Sequence, residues 1–364
     1  MISEKCFTSE WLESFRNKKE HQRIQTNILE KMIYALHLLE QLENNGLEFV
    51  FKGSTSLVLL LEEGNRFSID IDIICKTEQK HLEKILQKVV EESNFSAVKL
   101  DEKRSYQTGI PKAHYIFQFD SVFNTRVPGK ILLDVLVEDS IYPELVKTPI
   151  ETKWIETDPV TTVMTPSIDA ITGDKLTAYA PNTIGIPYFK GEQSFAMEIC
   201  KQLFDVSRLF DRITNLEVVA QSFQNHAEQE ISYRDKSEFT PNIVLKDTID
   251  TCVIITKRGV RADAKERDTF ELLQRGIQGF GTGYLMTGHF RVDDAIAAAA
   301  RVAHLATKIM VGDFTPIHRY EGQDIQALTI EGPEWNFLSR LKRQPDKSTF
   351  FYWFHTVQLF QLRH

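Results

Sequence analysis

Two aspartates spaced one residue apart, Asp70 and Asp72, stand 16 and 18 positions after the serine of a Gly53-Ser54 pair, and this spacing constrains the fold more than any other feature. Residues 67–75 alternate: Ile69, Ile71 and Ile73 share one face, and Ser68, Asp70 and Asp72 share the other. A period of two marks a strand with one buried face, so both carboxylates are expected to project from the same side of it. Upstream, residues 47–51 read as a short strand leading into Gly53-Ser54. Residues 56–63 then read as a buried helix that Gly64-Asn65 stops.

This strand, turn, helix and strand order suits phosphoryl chemistry. Glycine admits a phosphate close to the backbone, and the amides and hydroxyl at the start of the following helix can hold triphosphate oxygens. Paired carboxylates offer the hard oxygen ligands that Mg²⁺ or Mn²⁺ prefers. A third acid, Asp134, lies within the apolar run Ile131-Leu132-Leu133-Asp134-Val135-Leu136-Val137, which reads as a buried central strand. A buried charge needs a partner, and metal ligation or a role as base toward an acceptor hydroxyl would supply one. The expected metal ligands are therefore Asp70, Asp72 and Asp134, with Gly53 and Ser54 at the triphosphate.

The surrounding pattern supports an α/β (α+β) fold, a mixed sheet with flanking helices followed by a mostly helical region. Helices are expected at 21–43, closed by Asn44-Asn45-Gly46, and at 79–92; strands are expected at 114–119, 130–137 and 149–155. Helical spacing dominates from residue 167 onward, notably at 194–213, 268–276, 293–310 and 333–343. At 364 residues the chain exceeds the size of a typical single core, so we expect a domain over 1–165 and a helical region over 166–364. Within that region, 166–213 would complete the active-site cleft and 214–364 would form a C-terminal helical domain.

Phe51-Lys52-Gly53-Ser54-Thr55-Ser56-Leu57 and Arg66-Phe67-Ser68-Ile69-Asp70-Ile71-Asp72 together resemble the first motif of the AbiEii/AbiGii-type nucleotidyltransferase toxin family, within the DNA polymerase β-like superfamily. Gly173-Asp174-Lys175-Leu176 and Lys201-Gln202-Leu203-Phe204-Asp205-Val206-Ser207-Arg208 are similar to its later helical motifs. The likeness runs from about residue 47 to 211. It implies a polymerase β-like sheet, transfer of an NMP group from an NTP to a hydroxyl, and a toxin's place in a toxin–antitoxin or abortive-infection system. It further implies Lys175 at the triphosphate and Asp205 as the last acidic residue of the site. Helical spacing sets Lys201, Asp205 and Arg208, at i, i+4 and i+7, on one polar stripe opposite an apolar face, a stripe expected to open toward a phosphate-lined cleft. The partners implied are the NTP, a tRNA or other RNA acceptor and a cognate antitoxin protein. A non-catalytic NTP- or partner-binding module and a metal-dependent phosphodiesterase remain alternative classes.

Other features bound the reading. The opening MISEKCFTSEW lacks the regions of a secretory signal, no apolar run approaches membrane-spanning length, and the four cysteines form no C-x-x-C pair. A cytoplasmic protein with no membrane partner is expected. Net charge of −8 argues against coating nucleic acid by bulk electrostatics. Gly279-Phe280-Gly281-Thr282-Gly283 reads as a loop between helices rather than a dinucleotide fingerprint. Basic residues near Arg258 and Arg340, with Trp335, Phe350, Phe351 and Trp353, are the place to look for RNA backbone and stacking contacts, although a solvated face is the default reading. The histidines are expected on the surface or in the core.

Overall fold

A computed structural model of the chain describes residues 1–17, 21, 24–61, 66–105, 111–285 and 288–361. The chain forms two compact units, Met1–Ser167 with Tyr284–Gly288, and Ile168–Gly283 with His289–His364. Among the described residues, the first unit carries a seven-stranded mixed sheet. Its strands are β1 (Val50–Lys52), β2 (Ile71–Ile74), β3 (Phe95–Leu100), β4 (Lys112–Phe119), β5 (Gly129–Leu136), β6 (Leu145–Pro149) and β7 (Thr162–Pro166). They lie in the order β3-β4-β5-β2-β1-β7-β6. β2 is parallel to β5 and β1 to β7; the remaining neighbours are antiparallel.

Alternation sets the faces. On β4, Ala113, Tyr115, Phe117 and Phe119 are buried, while Lys112, His114, Ile116 and Gln118 on the other face are partly open. Phe51, Ile71, Ile73, Leu133 and Val135 continue the buried face. Helices α2 (Thr26–Asn44) and α4 (Gln79–Glu92) cover it with Leu29, Met32, Leu36, Leu39, Leu82 and Val89, and Tyr34 stacks on Phe119 at 3.7 Å. Each large apolar side chain buried in this way contributes about 1.5–3 kcal/mol. Gly46, at φ +75°, closes α2 as the Asn-Asn-Gly stop predicts.

Besides the strand expected over 67–75, which is only Ile71–Ile74, three differences from expectation affect the packing. Helix α3 (Gly53–Leu60) begins on Gly53 rather than at residue 56; the expected end at residues 62–63 and the Gly64-Asn65 stop lie outside the described residues. The strand expected over 149–155 is absent: β6 ends at Pro149, and Ile150 and Trp154 are buried from a non-strand segment. Trp154 packs beside Phe15 and Phe67, and its carbonyl accepts from Trp11 Nε1. The alternation there records anchoring side chains rather than a ladder.

The third difference falls in the second unit, which contains α5 (Ile168–Ala178), a hairpin of β8 (Phe189–Lys190) and β9 (Gln193–Ser194), α6 (Ala196–Phe210), α7 (Leu216–Tyr233), α8 (Pro241–Lys257), α9 (Ala264–Gly283), α10 (Val292–Val311), the 3-10 segment Pro333–Arg343 and α11 (Ser348–Gln361). The glycine run at 279–283 is helical, the last turns of α9, not a loop. A Cβ on Gly276 would come within 2.5 Å of the Ala196 carbonyl oxygen, and one on Gly281 within 2.8 Å of that of Phe290. These glycines let backbones touch, and the gain is Phe280, buried against Phe204 and Phe290. No helix among the described residues is long and apolar enough to cross a membrane.

Candidate active site

Strand register gathers the acidic residues that the sequence spreads over 60-odd positions. Lys52 on β1 faces Asp72 on β2, Asp72 faces Asp134 on β5, and Asp134 faces His114 on β4. Directly opposed residues share a face, so Lys52, Asp72, Asp134 and His114 form one row, with charges ordered plus, minus, minus and a basic ring. The row lies on the side opposite Phe51, Ile71, Ile73, Leu133 and Val135. Asp70 is exposed and sits immediately before β2 rather than within it.

The Gly-Ser turn meets this row directly. Gly53 has φ +76°, a region that L side chains rarely adopt, and a Cβ there would lie 2.2 Å from Asp72 Oδ2. The Asp72 carboxylate therefore fills the space that a side chain would take. Two residues on from Gly53, the buried Thr55 hydroxyl donates to the Asp70 carbonyl (2.5 Å) and lies 2.9 Å from Ser68 Oγ. Helix α3 and the residues leading into β2 are thus pinned to each other, which sets Ser54 and the first amides of α3 close to the DxD segment.

Asp134 is on the expected central strand, but its surroundings differ from expectation. Its side chain is 30% exposed, and its partner is a histidine: His114 Nδ1–H donates to Oδ1 at 2.6 Å. The Arg104 guanidinium stands 3.7 Å from Oδ2. His114 is thus a site residue that sequence reasoning missed. Alternation along β4 places it on the open face, but only the β4–β5 register brings it opposite Asp134.

The residues expected from the second unit form their own cluster. Lys175 on α5 donates to Asp205 Oδ2 on α6 at 2.9 Å, with side chains only 5% and 2% exposed, and also reaches Gln202 Oε1 at 3.4 Å. This corrects the expectation of an open polar stripe along α6. Asp205 turns inward, because a buried carboxylate requires an opposite charge and the neighbouring helix supplies one. Lys201 lies 4.0 Å from Glu198, and Arg208 is half-buried. The aromatic cluster near the C-terminus is corrected as well. Phe350, Phe351 and Trp353 are buried, and Arg340 donates to the carbonyls of Thr256 and Lys257 at the end of α8, so these residues pack and cap helices instead of offering a stacking platform.

Among the described residues, no group of three or more His, Cys, Asp and Glu side chains forms a ready metal cage. The donor chemistry nevertheless fits Mg²⁺ or Mn²⁺. Asp72 and Asp134 are neighbouring carboxylates on one face, and Mg²⁺ is characteristically held by one or two carboxylates, with waters and substrate phosphates completing its shell.

A family model described as nucleotidyl transferase AbiEii toxin, Type IV TA system, matches residues 37–288. Among solved structures, MenT4, a nucleotidyltransferase toxin from Mycobacterium tuberculosis, is 13% identical with a TM-score of 0.44, covering 83% of this chain and 99% of that one. A protein from H. pylori assigned as a nucleotidyltransferase is 16% identical with a TM-score of 0.38, covering 79% and 97%. A nucleotidyltransferase-like antigen from Paracoccidioides brasiliensis is 12% identical with a TM-score of 0.37, covering 57% and 90%. No curated protein matches the chain.

Proposed function

The chain belongs to the AbiEii family of nucleotidyl transferase toxins, and from that premise we propose that it transfers an NMP group from an NTP to an acceptor hydroxyl at the Asp72–Asp134 row and the Gly53-Ser54 turn beside it. The observation that carries this reading is the fit of Gly53 to Asp72: the turn that would cradle phosphate and the carboxylate that would meet it occupy adjoining space. In the proposed step the acceptor oxygen bonds to the α-phosphorus, the bond from that phosphorus to the bridging oxygen breaks, and pyrophosphate leaves. Gly53, Ser54 and the first turn of α3 would hold the triphosphate, since helix N-termini favour anions. Asp70, Asp72 and Asp134 would hold a divalent cation, which when bound neutralises charge on the phosphates and acidifies the attacking hydroxyl. Asp134 alternatively serves as the base that receives the hydroxyl proton. Lys175, with Lys201 and Arg208, would act on the triphosphate and Asp205 would keep Lys175 in place; this part rests on the motif likeness. Positioning and charge neutralisation supply most of the rate enhancement in chemistry of this kind.

The acceptor we propose is an RNA, tRNA or another, and the compartment we propose is the cytoplasm; a cognate antitoxin is the proposed partner, in line with the toxin–antitoxin description of the family. Incubating the protein and a cell extract with each α-labelled NTP, then separating RNA, protein and small molecules, reads out donor and acceptor together. Label in RNA with pyrophosphate release is expected, and label confined to another fraction would replace the acceptor. Asp72→Asn should reduce incorporation by at least about 100-fold, the scale at which single charge-stabilising groups act. Undiminished transfer by Asp72→Asn would remove the row from the chemistry.

A further inference from the structure

We infer that His114 and Arg104 prepare Asp134 for a divalent cation: His114 is a positioning residue that fixes the carboxylate, and Arg104 is a resident counter-charge that the cation displaces. This rests on the proposed role of Asp134 as a ligand. His114 is held on both sides of its own backbone. Its carbonyl accepts from the Asp101 amide at 2.8 Å, and its amide donates to Ser105 Oγ at 2.9 Å. The Ser105 hydroxyl in turn donates to the Asp101 carbonyl at 2.7 Å. One strand residue therefore supplies the hydrogen bond to Asp134 Oδ1 and also anchors the 101–105 turn that carries Arg104.

The two contacts differ in kind. The His114 side chain is 14% exposed and its Nδ1 lies 2.6 Å from Oδ1, a short charge-assisted bond. With Oδ1 occupied, Oδ2 is the oxygen turned toward a cation. On that side stands Arg104, 49% exposed and 3.7 Å away, a contact that water screens and that exchanges readily. A divalent ion carries twice the charge and can coordinate Oδ2 directly, so Arg104 yields while His114 stays. Hydrogen-bond partners of metal ligands typically change metal affinity by about 10–100-fold when removed.

The test is Mn²⁺ binding to the full chain without NTP, followed by the EPR signal of free Mn²⁺, with thermal unfolding as a check on the fold. His114→Ala should weaken Mn²⁺ binding about tenfold or more. His114→Asn, which places an amide donor near the Nδ1 position, should restore most of it, and His114→Gln, whose donor reaches further, should not. Arg104→Gln should change affinity in the opposite direction and tighten it. If His114→Ala unfolds, the Asn and Gln pair decides the matter. Equal affinity in the Asn and Gln variants, or weaker binding in Arg104→Gln, overturns the inference. Asp134→Asn separates the two levels: if it leaves Mn²⁺ binding unchanged, Asp134 is not a ligand and the underlying site assignment fails instead.

Discussion

At the residue scale, Gly53 is the position where backbone conformation and chemistry are least separable. Its φ of +76° strains any side chain, and a Cβ would strike the Asp72 carboxylate at 2.2 Å. Gly53→Ala should therefore lower stability by about 1–3 kcal/mol and displace Asp72 from the row. We expect a reduced urea midpoint together with a loss of NTP incorporation larger than the loss of folded protein explains. Full activity with an unchanged midpoint would show that the turn tolerates a side chain and that its contact with Asp72 is incidental. The motif made Gly53 and Asp72 legible, because turn glycine and strand alternation are local properties, whereas Asp70, read as a strand residue, lies just before β2. His114 and Arg104 were not legible, because their proximity to Asp134 depends on which strand pairs with β5 and in what register.

At the scale of elements, the Lys175–Asp205 pair ties α5 to α6 from inside the second unit. Removing one member of a buried ion pair leaves the other charge unpaired and destabilises by about 3–5 kcal/mol. Lys175→Met should accordingly lower the unfolding midpoint, and Lys175→Met/Asp205→Leu should recover much of the loss; a single variant as stable as wild type would mean that the pair is already well solvated. The same geometry shapes any activity assay of Lys175, since loss of function in Lys175→Met reports folding as well as chemistry, and Lys175→Arg at matched stability is the cleaner comparison. Strands β1, β2, β4 and β5 and helices α2, α4, α6, α9 and α10 followed from periodicity, while β3, β6 and β7 and helices α7, α8 and α11 had no expected counterpart of their own. The failures, a strand expected over 149–155 and a loop expected over 279–283, arose where apolar anchors imitate alternation and where glycine serves close helix contact rather than a break.

For the molecule as a whole, acid sensitivity should reside partly in the second unit. His304, buried on α10 beside Tyr352 and His355, has its pKa pushed from 6.5 down to about 3, first by burial and then by the nearby Lys308 and His355. The folded state thus keeps this ring neutral where the unfolded chain would protonate it. Stability from His304 is fully present above pH 6.5 and is lost progressively as pH falls from 6.5 toward 3. His355, also lowered by burial and by His318, adds in the same direction. Urea unfolding of His304→Gln should show a shallower dependence on pH across this window than wild type. An identical slope would indicate that the ring takes up its proton without unfolding.

By itself the sequence determined which residues carry charge into a strand, where glycine permits a tight turn, and the mixed-sheet and helical character of the two halves, because all of these are short-range consequences of side-chain shape and period. The tertiary structure decided what those charges meet. Asp134 meets His114 and Arg104, and Asp205 meets Lys175. The reason is physical: a buried or half-buried carboxylate must find a counterpart, but strand register and helix packing, which are set by the whole core, choose which one it finds.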